Sequence, residues 1–293
     1  MGNLTLAFYG LTGRRMPRLK PMVNAHHHQE VELNVMVSGE VTYLHGGSIR
    51  TIRPGSLAFF WAAVPHHLVT ASDDADLIWM TLPLPMVRSW GLHADLMAGL
   101  LQGDWLLGPQ GSDRRFPVVD WVAELNSGNS RPTTGLELEL HGCLHWLGER
   151  LHPQGPAPAP NDQDLLPVGT MARYMAEHSH EKLTVPDIAQ TANLHPKYAM
   201  ALFRRRCGMT IHDYLTRLRV THAQRLLIEG DTSVIHIALE CGFGTQSAFY
   251  DAFQRRVGMT PKVYRLFHRH GMKEQEAIET QAAKLSTPLH GLS

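Results

Sequence analysis

The 293-residue chain has only three cysteines, Cys143, Cys207 and Cys241, too few and too irregularly spaced for a disulfide framework or a thiolate metal site. Reduced thiols in a cytoplasmic protein are expected. Charge is also sparse: Lys, Arg, Asp and Glu make up 18% of the residues and balance to zero, which argues against a uniformly cationic coat for phosphate. No apolar run approaches the roughly 20 residues that a membrane helix needs, and Leu4 to Leu11 is too short and too interrupted for a secretory h-region. Neither a membrane partner nor export is expected.

The balanced total hides an uneven distribution. Residues 165–270 carry 14 Lys and Arg against 8 Asp and Glu, whereas residues 1–164 carry 11 against 16. A basic third beside an acidic remainder is what a chain shows when one part alone docks on phosphate. The segment from His152 to Asp164 holds four prolines and no hydrophobic period, so it reads as an extended linker. The expected division is 1–152, a linker over 153–164, a helical domain over 165–270 and a polar tail over 271–293.

Within the basic third, two helix-turn-helix units stand in tandem. In the first, Thr184 caps a short helix, with Asp187 as its capping-box partner, and Pro196 opens a second helix that Gly208 closes. In the second, Ser233 caps one helix, Gly242 and Phe243 make the turn, and a helix from Gln246 ends at Gly258. Thr210 and Asp213 cap a helix of some 18 residues between the units. At 1.5 Å per residue it spans roughly 27 Å, close to the roughly 34 Å turn of B-DNA once the readers' own offsets are added. Two successive major-groove entries on one face of a duplex are therefore expected.

Ile188-Ala189, Tyr198, Leu202-Phe203-Arg204, Gly208, Arg219, Ala223, Leu226-Leu227, Ile237-Ala238, Gly242-Phe243, Phe249, Phe253, Gly258 and Thr260-Pro261 resemble the signature of the AraC/XylS family of transcription regulators. Those residues build cores; the reading positions must come from geometry. On the first reader, Tyr198, Ala199, Leu202 and Phe203 are expected inward and Lys197, Met200, Ala201 and Arg204 outward. The resemblance puts Lys197, Met200 and Ala201 against base edges: Lys197 can donate to guanine, while Met200 and Ala201 offer apolar contact to thymine methyls. On the second, Thr245, Gln246, Ser247, Tyr250, Asp251 and Gln254 are outward, with Gln246 the candidate for a bidentate contact to adenine. Arg204, Arg205, Arg217, Arg255 and Arg256 are expected at phosphates or as solvated surface charges.

Before the linker, short strands alternate with turn residues: Glu30 to Val37, Val41 to His45, Ser48 to Ile52, Ser56 to Trp61 and Leu77 to Leu82, with Gly46-Gly47 as a hairpin turn. His26-x-His28-x₃-Glu32-x₆-Gly39, followed by Pro54-Gly55 and Pro65-His66, resembles the two cupin motifs. His26, His28 and Glu32 share parity and would face one side of a strand. Three readings follow. The barrel holds a small effector among His26, His28, Glu32, Trp61, His66 and Trp79; or His26, His28, Glu32 and His66 hold a divalent metal, imidazole and carboxylate suiting Fe, Mn, Ni or Zn; or the histidines make ordinary hydrogen bonds. No cofactor is required by the first reading. His66 is preferred to His67, which would face away.

The expected fold is thus α+β, a cupin-like β-barrel with packed helices followed by an all-α domain of two helix-turn-helix units joined by a linker helix. The tryptophans near the pocket suit the C–H faces of a sugar. His26-x-His28-x₃-Glu32, Leu57-Ala-Phe-Phe-Trp-Ala62 and Asn193-Leu-His-Pro-Lys-Tyr-Ala-Met200 resemble the melibiose-operon branch of the family, which implies an α-galactoside or related sugar. Helices are expected over Phe116–Asn126 and Gly135–Leu151. The stripe Leu136, Leu140, Cys143, Leu144, Leu147 and Leu151 suits either a second subunit or the chain's own barrel. A homodimer on double-stranded DNA, meeting RNA polymerase if it activates, is the family expectation. The competing classes are a metal-dependent cupin enzyme, for which the two readers would have no use, a regulator of non-sugar metabolism, and an indiscriminate architectural DNA binder, for which a net charge of +6 over residues 165–270 is small.

Overall fold

The computed structural model describes residues 10–22, 24–108, 116–127, 134–149, 152–153 and 165–270. Most of the expected linker, Leu151 and the polar tail lie outside them. The first half is built of strands β1 (Thr12–Pro17), β2 (Val31–Ser38), β3 (Val41–His45), β4 (Ser48–Ile52), β5 (Leu57–Trp61), β6 (His66–Ala71), β7 (Asp76–Leu82), β8 (Leu106–Leu107) and β9 (His152–Pro153). They form a six-stranded sheet in the order β1-β7-β2-β5-β8-β9 and a three-stranded sheet in the order β4-β3-β6. Four of these strands, β1, β6 and the two-residue β8 and β9, were not foreseen from the sequence.

Alternation along β2 decides what faces where. Val31 and Leu33 point outward with Phe59, Trp61, Ile78 and Met80, while Met36 shares the interior with Tyr43, Phe60, Leu68 and Leu77 from both sheets. The β3–β4 hairpin turns on Gly46 and Gly47, both with positive φ (51° and 85°), the geometry of a two-residue type I′ turn.

Helices α1 (Leu84–Ser89), α2 (Ala94–Gln102), α3 (Val118–Leu125) and α4 (Thr134–Gly148) cover the outer face of the large sheet. Leu136, Leu140, Cys143, Leu144 and Leu147 of α4 are all buried in that layer. The stripe is therefore spent on the chain's own barrel and cannot zip to a second subunit.

The second half is α5 (Leu165–Glu177), α6 (Val185–Thr191), α7 (Pro196–Cys207), α8 (Ile211–Glu229), α9 (Val234–Glu240), α10 (Gln246–Val257) and α11 (Pro261–His270). Side chains of Thr184, His195, Thr210, Ser233 and Thr245 cap α6 to α10 in turn, and left-handed Gly208 and Gly258 end the two readers. The linker helix α8 and the second unit both lean on the turn at 179–181. The Arg219 guanidinium donates to the Ser179 and Glu181 carbonyls, each at 2.7 Å, and Gly242 lies against the His180 carbonyl.

Barrel and helices share their cores. One apolar cluster runs from Val31, Leu33 and Met80 to Val220, Leu227, Phe249 and Phe253, and another joins Leu44 and Ile49 to Met171, Ile188, Leu202 and Phe203.

Candidate functional site

The segment 24–30 runs beside 62–66, with reciprocal backbone hydrogen bonds between His26 and His66 and further bonds from His28 N to Ala62 O and from Ala62 N to Glu30 O. This pairing brings His26, His28, Glu32 and His66 together from the segment, β2 and β6. One donor atom from each lies within 4.8 Å of all the others. His28 Nε2 is 2.7 Å and His66 Nε2 3.2 Å from Glu32 Oε1, and the Nε2 atoms of His26 and His66 are 3.0 Å apart.

The outer atoms are held as well. His66 Nδ1 donates to Val64 O (3.0 Å), which aims Nε2 at the centre; His28 Nδ1 meets Glu30 Oε2 (3.0 Å), and Asn34 Nδ2 donates to Glu32 Oε2 (2.9 Å). Carboxylate and carbonyl partners behind imidazoles are the usual orienting shell of a metal ligand. A tetrahedral ion with bonds of about 2.0–2.1 Å would set its donors roughly 3.4 Å apart, so three nitrogens and one oxygen at these spacings fit a divalent transition metal. His67 turns the other way, toward Met22 O at 2.9 Å.

Burial and neighbours pull the ionisations apart. Burial, helped by His66, lowers His26 to about 3. Burial would also lower His28, but its bonds to Glu30 and Glu32 outweigh this and lift it to about 9. Burial alone would raise Glu32; His66 and the bond from His28 instead hold it well below the usual carboxylate range.

His26 also lines a cavity of about 320 Å³ at the barrel mouth, with Arg14, Met16, Tyr43, Leu77 and Trp79 among its walls. Trp79 pairs with Arg14 on one side and Asn34 on the other, so all three share the inward face. The buried Asn34 Oδ1 has no hydrogen-bond partner among the described residues. Trp61, expected in the pocket, is elsewhere: it packs in the outer cluster with Val31 and Leu33 and donates from Nε1 to Gln29 O. Period-2 alternation gives the inward place to Phe60, which stacks on Trp105 with ring centroids 4.4 Å apart. Parity along β5 and β7 could have found Phe60 and singled out Trp79, but no sequence signal marked Arg14, Tyr43 or Trp105.

On the readers, Lys197, Met200, Ala201 and Arg204 of α7 are exposed, as are Gln246, Ser247 and Arg255 of α10 and its cap Thr245; Tyr250 is half-buried beside Phe249. Tyr198 is 48% exposed rather than inward, which adds a hydroxyl to the outer face of the first reader. Arg217 and Arg256 are withdrawn from the expected phosphate set. Arg217 donates to His27 Nδ1, and Arg256 reaches Asp213 at 3.3 Å.

A ligand-sized barrel cavity joined to two capped helix-turn-helix units defines a ligand-responsive DNA-binding regulator. The chain belongs to the AraC family of transcriptional regulators: residues 188–266 match the model of a helix-turn-helix domain and residues 20–113 that of an AraC-like ligand binding domain. It is 31% identical over 265 residues to the melibiose operon regulatory protein of Escherichia coli strain K12, covering 86% of this chain and 85% of that one. It is 27% identical over 264 residues to the HTH-type transcriptional activator RhaR of Yersinia pseudotuberculosis serotype O:1b, covering 82% and 83%. Among solved structures, ToxT from Vibrio cholerae O395 is 15% identical, with a TM-score of 0.36 over 89% of this chain and 98% of that one. The DNA-binding domain of AdpA in complex with a target DNA is 33% identical, with a TM-score of 0.33 over 34% and 90%.

Proposed function

We propose that this regulator activates a carbohydrate catabolic operon when a small sugar enters the barrel mouth. The observation that carries the reading is the cavity flanked by Trp79, Arg14 and His26. An indole face suits the C–H surface of a pyranose, while the guanidinium and the imidazole suit its hydroxyls. The volume of about 320 Å³ is at the small end of ligand pockets, which run from roughly 300 to 1,000 Å³. The likeness to a melibiose operon regulatory protein favours an α-galactoside. Calorimetry with α- and β-galactosides tests this. Trp79→Ala is expected to weaken sugar binding about tenfold, or about 1.4 kcal/mol; a panel without binding, or an unchanged affinity in the variant, removes the sugar reading.

The regulator acts in the cytoplasm as a homodimer on double-stranded DNA and engages RNA polymerase, its dimer contact lying outside the α4 stripe. Lys197, Met200 and Ala201 read bases through α7, and Gln246 reads adenine through α10, with Thr245, Ser247 and Tyr250 beside it and Arg204 and Arg255 on phosphates. Gln246→Ala should relax preference at one base pair at a cost of roughly 1–3 kcal/mol, while Arg255→Ala weakens all sequences alike and flattens the salt dependence by about one unit of slope. Binding of a randomised operator library at several salt concentrations distinguishes the two. Equal losses on specific and random DNA for both variants would refute the assignment.

A further inference from the structure

Segment 24–30 carries two sets of side chains that alternate along it. His26 and His28 enter the four-residue cluster, whereas His27 accepts from Arg217 and the side-chain oxygen of Gln29 accepts from Gln224, both on α8. The backbone is tied to the helical half as well: Ala25 N donates to Cys207 O at 2.9 Å, and Asn24 lies so close to Gly208 that a Cβ there would come within 2.7 Å of the Asn24 Cα. Across the cluster, Ala63, just before His66, accepts from Thr221 Oγ1 of α8 at 2.7 Å. Gln224 passes the contact on to the Tyr264 hydroxyl of α11 at 3.1 Å. The residues that converge on one point inside the barrel are thus chain neighbours of those that grip the helix between the two readers.

We propose that a divalent transition-metal ion held by His26, His28, Glu32 and His66 fixes segment 24–30 as a clamp on α8, so that cation occupancy sets how firmly both readers are held to the barrel. Three imidazole nitrogens and one carboxylate oxygen select a first-row divalent ion over calcium or magnesium, which prefer all-oxygen shells. A cation at that point would draw on the same side-chain atoms that otherwise bond one another, so the ring positions, and with them the backbone at 26 and 28, would adjust. His27 and Gln29 lie on the same short stretch and follow. The inference goes beyond the sugar reading and does not need it.

The full chain, stripped with chelator and dialysed, is titrated with Co²⁺ and Zn²⁺ without sugar, and amide hydrogen exchange is followed with and without one equivalent of Zn²⁺. One equivalent should bind, with visible Co²⁺ bands of low-symmetry coordination. His26→Ala removes the half-buried ligand with the least risk to the fold and should weaken binding at least 100-fold. Exchange across residues 217–224 should slow at least tenfold in the wild type. The double variant His27→Ala, Gln29→Ala should keep its Co²⁺ affinity within threefold and lose that protection. Absence of stoichiometric binding by the wild type overturns the site. Binding that leaves α8 exchange unchanged, or protection that survives in the double variant, overturns the clamp. A failed sugar titration touches neither result.

Discussion

Glu32→Ala is expected to destabilise the chain by about 3–5 kcal/mol, the usual loss when one partner of a buried charged set is removed. The carboxylate is only 1% exposed and is met by His28, His66 and Asn34. Without it, His28 keeps only Glu30 of its two carboxylates and Asn34 loses its acceptor. Against a total stability of about 5–15 kcal/mol, this is about a fifth or more of what holds the fold. Urea denaturation measures it, and a double-mutant cycle with His28→Ala should return a coupling of at least 1 kcal/mol. A loss below 1 kcal/mol for Glu32→Ala would mean that the cluster does not organise the barrel.

Gly242→Ala should be the most damaging conservative change in the second reader, and Gly244→Ala, two residues on, should be silent. Gly242 has φ +79°, where a side chain costs about 1–3 kcal/mol, and its Cβ would lie 2.7 Å from the His180 carbonyl oxygen. That neighbour is backbone and cannot swing aside, so overlap adds roughly another 1–3 kcal/mol. Nothing lies within 4 Å of a Cβ at Gly244. The contact joins the second unit to the 179–181 turn that Arg219 also pins, so Gly242→Ala should loosen the angle between the readers as well as the fold. Footprinting should then show protection of the second major-groove segment fading before the first. Equal behaviour of the two variants would show that the approach to His180 does not constrain the turn.

What could be read from the sequence was what local physics writes there. Caps at Thr184, Thr210 and Ser233, stops at Gly208 and Gly258, and the glycine pair at 46 and 47 each satisfy a backbone need within a few residues, so the helices and the hairpin fall where they were expected. Parity along residues 26–32 was enough to group His26, His28 and Glu32, and the resemblance of Pro65-His66 to the second cupin motif added His66. The strand Thr12–Pro17 escaped because Thr-Gly-Arg-Arg-Met-Pro has no alternation and gains its order from pairing with β7, far along the chain. Trp61 was misplaced because the abundance of tryptophan was weighed while its place in the alternation was not. Tyr198 was misplaced because its helical spacing suits either the margin of the buried face or the exposed side. Arg217 looked like any surface arginine, and only the approach of segment 24–30 turns it inward.

The apolar cluster that runs unbroken from the large sheet into α8–α10 means that this sensor cannot be treated as an interchangeable cartridge. A chimera that grafts residues 10–153 onto the readers of a relative sharing about a quarter of its residues would set methyl groups of one lineage against pockets shaped by another. Each mismatch in so tightly packed a seam costs about 1–3 kcal/mol. Grafts are expected to retain both solubility and inducer response only when the barrel-facing residues of α8, Thr221 and Gln224 among them, travel with the barrel.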